Sequence, residues 1–238
     1  AHAPGKSEIP EFHIPSDRLE GIRIGVARNL YHGDSRMEQL LEDAVRSLID
    51  LGAVVKDSLY LDNTMLLKMP ELEVLLHEFK LGINAYLGNL EDHPEHPSPP
   101  KSLKELIAFN EAHQEQVMPF FAQELFEKAE RRGDLSSEIY LESIKECRRL
   151  SRQQGIDAFM QKHGLDAFIA PTSGPAWLTD SVNGDPVSIE TSFTPSAVAG
   201  YPGISVPLGF ISGLPVGLSF YAGAWSERML LRLSLIHI

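Results

Sequence analysis

Between Ile22 and Leu59 the apolar spacing switches from a period of two to about 3.6 residues and back, which restricts this part of the chain to a strand-helix-strand unit. Residues 22–27 alternate as a short strand. Ser35-x-x-Glu38 reads as a capping box, and the helix it opens carries Met37, Leu40, Leu41, Ala44, Val45 and Leu48 on one stripe until Gly52 stops it. Residues 53–59 supply the second strand. A unit of this kind belongs to the α/β class. Residues 1–20, with Pro4, Gly5, Pro10 and Pro15, read as an extended linker ahead of it.

From residue 64 to 163 the spacing is helical, and the segment is expected to form a mainly helical layer. One helix runs near 70–87, and residues 91–100 break it with four prolines in ten residues. Ser102-x-x-Glu105 is a second capping box, restarting a helix through Leu106, Phe109 and Asn110. Pro119 begins or kinks the next helix, which carries Phe120, Phe121, Leu125 and Phe126. Gly133-Asp134 marks a stop, and residues 137–163 read as a long helix with a weak point near Gly155.

Residues 166–170 return to a short apolar strand of the buried type. A loop of roughly twenty residues follows, from 172 to 192, and so long a structureless stretch inside a compact domain is functional or mobile. Thr194 then reads as an N-cap with Pro195 at the first helical position and Gly200 as the stop. Residues 204–206 and 214–220 flank a turn between Gly209 and Gly213 and read as a hairpin.

Charge narrows the partners. The 21 basic side chains face 33 acidic ones, for a net charge of −12, which disfavours nucleic acid and anionic membrane surfaces. No apolar run approaches the roughly 18 residues of a membrane-spanning helix. The single Cys147 excludes an intrachain disulfide and a thiolate zinc cluster, and its spacing to Ile144 and Leu150 is that of a helix face. The chain opens Ala-His-Ala-Pro-Gly without a Met, so its lack of a signal-peptide pattern says nothing of the compartment. The compartment expected is the cytoplasm. Leu233-Ser-Leu-Ile-His-Ile238 is the hexapeptide that CTG-TCT-CTT-ATA-CAC-ATC encodes, a transposon end used in sequencing libraries, so it reads as an adapter translated as protein.

Few motifs carry chemistry. Gly203-Ile-Ser205 starts like a nucleophile elbow but has Pro207 where the second glycine belongs, so Ser205 reads as a plain strand residue. Ser98-Pro-Pro-Lys101 matches a Ser-x-x-Lys pattern, but its two prolines forbid the helical turn that chemistry needs. His93 and His96 with Asp92 and Glu95 sit in the proline-rich loop and lack a third fixed ligand, so no metal is expected, and no cofactor motif is present. His77, His113 and His163 fall within helical patterns. The long loop differs, because Trp177, Asp180, Asn183 and Asp185 lie between a buried strand and a capped helix, where α/β folds place ligand sites. Trp177 either walls an apolar pocket or anchors the loop; Asp180 and Asn183 either pair with an amide group or hold the turn. The helix start at Thr194 adds polar surface beside them.

Read in order, Asp166-Ala-Phe-Ile-Ala-Pro-Thr172, Ser173-Gly-Pro-Ala-Trp177, Asn183-Gly-Asp185, Thr194-Pro-Ser-Ala-Val-Ala-Gly-Tyr-Pro202, Gly203-Ile-Ser-Val-Pro207, Gly213-Leu-Pro-Val-Gly-Leu-Ser219 and Trp225-Ser-Glu227 resemble the C-terminal portion of an amidase-signature hydrolase. Within that family the chain looks most like bacterial amidases of the peptide-amidase kind, with Leu103-x-x-Leu-Ile-Ala-Phe-Asn110 adding to the likeness; the A-type polypeptide of glutamyl-tRNA amidotransferase is a more distant match. The resemblance implies an α/β/α sandwich with a mixed sheet and helices on both faces, and a carboxamide hydrolase that works through an acyl-enzyme. It also implies that the nucleophilic serine, the bridging serine, the lysine base and the Gly-rich oxyanion segment lie before Ala1, so no catalytic residue is assigned in this chain. Thr172, Trp177, Asp180 and Thr194 are the implied contacts to a small-molecule or peptide amide. Glu190 lies near a substrate-binding acid of amidotransferase relatives, but its neighbours differ and the role is not carried over. A catalytically empty ligand-binding or subunit-interaction module is the alternative. A Lys followed by a Gly/Ser-rich segment in the upstream coding sequence separates the two.

Overall fold

The computed structural model describes residues 18–31, 34–94, 97–184 and 191–234. Most of the expected linker, Glu95, His96, Asp185, Glu190 and residues 235–238 lie outside them. In chain order the elements are β1 (Arg23–Ala27), α1 (Ser35–Asp50), β2 (Val54–Leu59), α2 (Lys68–Gly88), α3 (Leu103–Ala112), α4 (Gln114–Val117), α5 (Glu124–Glu130) and α6 (Glu138–Arg148). A π-helical segment (Arg149–Ile156) leads into α7 (Asp157–His163), then β3 (Ala167–Pro171), α8 (Thr194–Ala199), β4 (Gly203–Ile211), β5 (Leu214–Tyr221) and α9 (Glu227–Ser234). Two compact units result. Lys68–Cys147 with Asp180–Gly184 form one, and the remaining described residues form the other.

The larger unit is built on a mixed five-stranded sheet in the order β2-β1-β3-β5-β4. β1 pairs in parallel with β2 and β3, while β5 runs antiparallel to both β3 and β4. Period-two alternation sends Ile24, Val26, Ala167, Ile169, Leu218 and Phe220 to one face, where Leu41, Val45 and Leu48 of α1 and Leu230 and Leu233 of α9 bury them. The opposite face presents Ala27, Phe168, Ala170 and Tyr221 to Ile156, Phe159 and Ala199 of the π segment, α7 and α8. Every residue of β3 is buried because helices cover both of its faces. This is the expected α/β/α arrangement.

Local chemistry moves several boundaries. The N-cap of α1 is Asp34 rather than Ser35: its carboxylate accepts the Arg36 N–H at 2.9 Å and pairs with the same residue's guanidinium at 2.6 Å. At α3 the expected cap forms, with Ser102 Oγ accepting from the Glu105 N–H at 3.2 Å, but Glu105 reaches back to the Lys101 N–H instead of that of Ser102. Phe120 and Phe121 lie outside any helix, since α5 starts only at Glu124. The hairpin turn is tighter than the Gly209–Gly213 estimate, with only Ser212 and Gly213 between the strands, at φ of 52° and 79°. Two positive φ values suit a primed turn whose twist matches the flanking strands. The weak point near Gly155 is the π-helical segment, where Gly155 has φ −111° and ψ −111°.

The smaller unit is helical. Leu76, Leu103 and Ala129 form its core with Leu72, Ile83, Ile107 and Phe126 packed around them. So small a core leans on polar ties: Lys80 Nζ donates to the carbonyls of Glu130 at 2.6 Å and Arg132 at 2.9 Å, and Asn84 Oδ1 accepts the Leu103 N–H at 2.7 Å. Among the described residues no helix is long and apolar enough to cross a membrane.

Candidate functional site

Strand register brings three hydroxyls together in the larger unit. Ser205 of β4 pairs with Ser219 of β5, and β3 delivers Thr172 beside them through a Thr172 N–H bond to the Gly217 carbonyl at 2.8 Å. Ser219 Oγ lies 2.7 Å from Thr172 Oγ1 and 2.6 Å from Ser205 Oγ, and Thr172 Oγ1 donates to Ser205 Oγ at 3.3 Å. Ser219 is buried, while Ser205 is exposed. Gly217 makes this possible, since a Cβ there would stand 2.7 Å from Thr172 Oγ1.

The same threonine gathers the far end of the long loop. Its carbonyl accepts the Ser192 N–H at 3.1 Å and the Ser192 hydroxyl at 3.3 Å, and Ser192 Oγ lies 2.6 Å from Tyr221 Oη. Burial raises the Tyr221 phenol above its ordinary value, so it holds its proton at neutral pH. Ser173 and Thr191 add an antiparallel bridge, and the loop is therefore pinned where it leaves β3 and where it returns to α8. Chemically the cluster is a set of neutral donors and acceptors. Among the described residues no carboxylate, imidazole or amine is within hydrogen-bond reach of these hydroxyls, and a serine with no adjacent base is a weak nucleophile.

Of the candidates read from the sequence, Thr172 thus belongs to a built polar site. Trp177 lies in open loop and is 45% exposed. Asp180 belongs to the smaller unit, where its carboxylate accepts the N–H groups of Val182 and Asn183, each at 2.9 Å, and the Asn183 amide at 2.8 Å. The Asn183 N–H is the main cause of its lowered pKa. That is an Asx turn, with the carboxylate already engaged by its own loop. Thr194 is the first residue of α8 rather than its cap; Phe193 takes that place, and Thr194 Oγ1 lies 3.4 Å from Thr191 Oγ1. Ser192, Ser205 and Ser219 were the partners to find. The alternation of the hairpin puts Ser205 and Ser219 on one face, a signal present in the sequence.

A second constellation occupies the smaller unit. His77, its side chain wholly buried, has Nδ1 2.8 Å from the Glu73 carbonyl and 3.3 Å from the Glu73 carboxylate, while Nε2 lies 3.1 Å from Ser137 Oγ. Serine, histidine and acid follow one another as in a hydrolytic triad. The details point elsewhere. Nδ1 bonds a carbonyl of its own helix, Arg132 holds the Glu73 carboxylate in a fork at 2.6 and 3.0 Å, and the Tyr140 ring packs 5.4 Å from the imidazole. This is a buried tie between α2 and the start of α6. Cys147 is likewise inert, its thiol pushed up to about 11, chiefly by burial. No group of three or more His, Cys, Asp and Glu suited to a metal occurs among the described residues.

The model of the Amidase family matches residues 5–231. The chain is 31% identical over 228 residues to a probable amidase of Arabidopsis thaliana, covering 93% of this chain and 38% of that protein. It is 30% identical over 223 residues to the A-type polypeptide of glutamyl-tRNA(Gln) amidotransferase from Pseudomonas fluorescens strain Pf0-1, covering 91% of this chain and 44% of that polypeptide. Among solved structures, the peptide amidase PAM bound to the competitive inhibitor chymostatin superposes with a TM-score of 0.81 at 38% identity, over 92% of this chain and 43% of PAM. Native peptide amidase from Stenotrophomonas maltophilia gives 0.77 at 38% identity, with 92% and 42% covered. The chain spans less than half the length of these relatives. With the family model matched along nearly its whole length and the sandwich superposed on peptide amidases, the chain belongs to the amidase-signature family, close to its bacterial peptide-amidase-like members.

Proposed function

We propose that these residues are the noncatalytic part of an amidase that hydrolyses carboxamide C–N bonds through a serine acyl-enzyme. The observation that carries this reading is the likeness to peptide amidase, at 38% identity over 92% of the chain. In the proposed reaction a serine outside these residues adds to the amide carbonyl, with a lysine acting through a bridging serine as the base. The C–N bond breaks as the nitrogen takes up a proton, and water then hydrolyses the ester. Among the described residues no base stands beside the hydroxyls of Thr172, Ser205 and Ser219, which suits a role in shape and hydrogen bonding rather than attack. Thr172, Trp177 and Thr194 are proposed to contribute to the acyl-group site, with Asp180 holding the turn that follows Trp177. The substrate is a small or peptide carboxamide, and the buried, solitary Cys147 suits work in the cytoplasm.

The test uses the parent protein. Ammonia release from peptide amides should disappear when the nucleophilic serine is replaced by alanine, with the melting temperature unchanged; full activity in that variant refutes the mechanism. Trp177→Ala in the same protein should alter KM or substrate preference more than thermal stability. An unchanged substrate profile with a large fall in melting temperature would make Trp177 a packing residue only. A role in binding partner polypeptides is the second reading, favoured by the 30% identity to the amidotransferase relative. It predicts no amide turnover by the parent alone and turnover once those partners are supplied.

A further inference from the structure

The hydroxyl cluster on β3, β5 and β4 can be followed proton by proton. A serine or threonine hydroxyl donates one hydrogen bond and accepts up to two. Thr172 Oγ1 donates to Ser205 Oγ at 3.3 Å, so the 2.7 Å contact between Thr172 and Ser219 takes its proton from Ser219, and the 2.6 Å contact between Ser219 and Ser205 takes its proton from Ser205. The ring is closed. All of its protons point inward, and what the hydroxyls can offer outside is lone pairs. Ser219 is buried, which leaves exposed Ser205 and half-buried Thr172 to meet a ligand. Ser205 stands between Gly203 and Pro207 on the exposed face of β4, two residues with no polar side-chain atom to compete for its oxygen. The nearby Thr172 carbonyl is already taken by the N–H and hydroxyl of Ser192. Charge narrows the ligand further. From Thr191 through Ser226 the sequence holds no Asp, Glu, Lys, Arg or His, in a chain where 23% of residues are charged, so an ammonium or guanidinium would find no carboxylate on β4 or β5 to balance it. A site that only accepts and carries no charge suits a neutral N–H.

We propose that Ser205, held as an acceptor by Ser219 and Thr172, takes a backbone N–H from the acyl part of a bound peptide amide and so selects substrates that can donate there. The proposal rests on reading the chain as part of an amidase, and adds to that reading a residue and the sense of the bond it makes. The opposite polarity is disfavoured. A ligand oxygen aimed at Ser205 would meet lone pairs, and turning a hydroxyl proton outward towards it would break a bond of the ring.

Paired substrates test this in the intact parent protein, with ammonia release as the readout. One is an acetylated dipeptide amide; the other is its depsipeptide counterpart, in which an ester oxygen replaces the backbone N–H of the last residue while the carboxamide to be cleaved is unchanged. The wild type should prefer the first by about tenfold or more in kcat/KM, chiefly through KM. Ser205→Ala should bring that ratio below about threefold, and Ser205→Thr, which keeps the hydroxyl, should restore it. Ser219→Ala should narrow the ratio too, because Thr172 and Ser205 would then share a single contact and one of them could turn its proton outward. Both substrates meet the same enzyme, so the ratio does not depend on how much of a variant folds. A ratio unchanged by Ser205→Ala overturns the proposal and gives the acceptor to an N–H of the parent's own chain, and a ratio unchanged by Ser219→Ala overturns the proton count on which it stands. Titration calorimetry with the same two compounds separates the proposal from the proposed activity. A parent that cleaves neither compound, yet binds the first more tightly in a manner lost in Ser205→Ala, refutes the activity alone; a parent that cleaves both with equal efficiency refutes the acceptor alone.

Discussion

At Gly217 the packing leaves no room for a methyl group. A Cβ there would stand 2.7 Å from Thr172 Oγ1, so Gly217→Ala must push the threonine away from Ser219. In the parent protein this should cost about 1–3 kcal/mol, the range for overpacking a well-filled site. Because the clash is with one side chain, Thr172→Ala should relieve part of it, and denaturant midpoints of the two single variants and the double variant should show coupling. Additive losses would mean that Thr172 is not what Gly217 accommodates. Asp34 offers a pH-dependent test. Its hydrogen bonds from Arg36 hold the carboxyl at about 2, below the unfolded value of about 3.9. A depressed folded pKa contributes stability that is fully present above the unfolded value and is lost as pH falls towards the folded one. The difference in urea midpoint between the wild type and Asp34→Ala should therefore be constant above about pH 5 and shrink between about pH 4 and pH 2. A difference that does not change over that window would show that the pair contributes nothing. The hydroxyl cluster itself was only half legible. Ser205 and Ser219 share a face by simple alternation, but Thr172 reaches them through the pairing of β3 with β5, two strands separated in sequence by the loop, α8 and β4, and no local pattern encodes that register.

Among the elements, the π-helical segment makes the sharpest demand on sequence. A Cβ on Gly155 would lie 2.4 Å from the Leu150 carbonyl oxygen, a backbone atom that cannot swing aside. Gly155→Ala should fall at the top of the roughly 1–3 kcal/mol overpacking range, and a melting temperature indistinguishable from the wild type would show that the backbone there relaxes freely. The glycine was readable as a weak point in a helical run; the widened helix was not, because nothing in the spacing separates a break from a π turn. The strand-helix-strand opening was legible since its period changes cleanly, although the pattern does not choose between Asp34 and Ser35 as cap, a place taken by Asp34, whose side chain accepts the Arg36 N–H. Phe120 and Phe121 misled because Pro119 before an aromatic pair has the pattern of a helix start. Gln123 explains the difference: its amide donates to the Ile107 carbonyl at 3.2 Å and accepts from Asn110 at 3.0 Å, and α5 begins only after it.

At the scale of the molecule, family and fold class were legible because the motifs from Asp166 to Glu227 keep their order and spacing, and the mixed sheet with helices on both faces follows from the same stretch. The division into two units was not, since helical periodicity runs unbroken past Cys147 into the π segment while the packing changes partners there. Function is distributed in the same way. Among the described residues the chain supplies a mixed five-stranded sheet and a hydroxyl cluster with no base beside it, and the reacting groups are proposed to lie in polypeptide beyond it. The most direct measurement is amide turnover by the 238-residue chain alone, monitored as ammonia release from a peptide amide alongside its thermal melt. The expected result is no release above buffer and no cooperative melt, with both appearing when the complementary polypeptide is supplied. A soluble chain that melts cooperatively and hydrolyses the amide unaided would contradict this reading, and would return Ser205, Ser219 and Ser137 to consideration as nucleophiles.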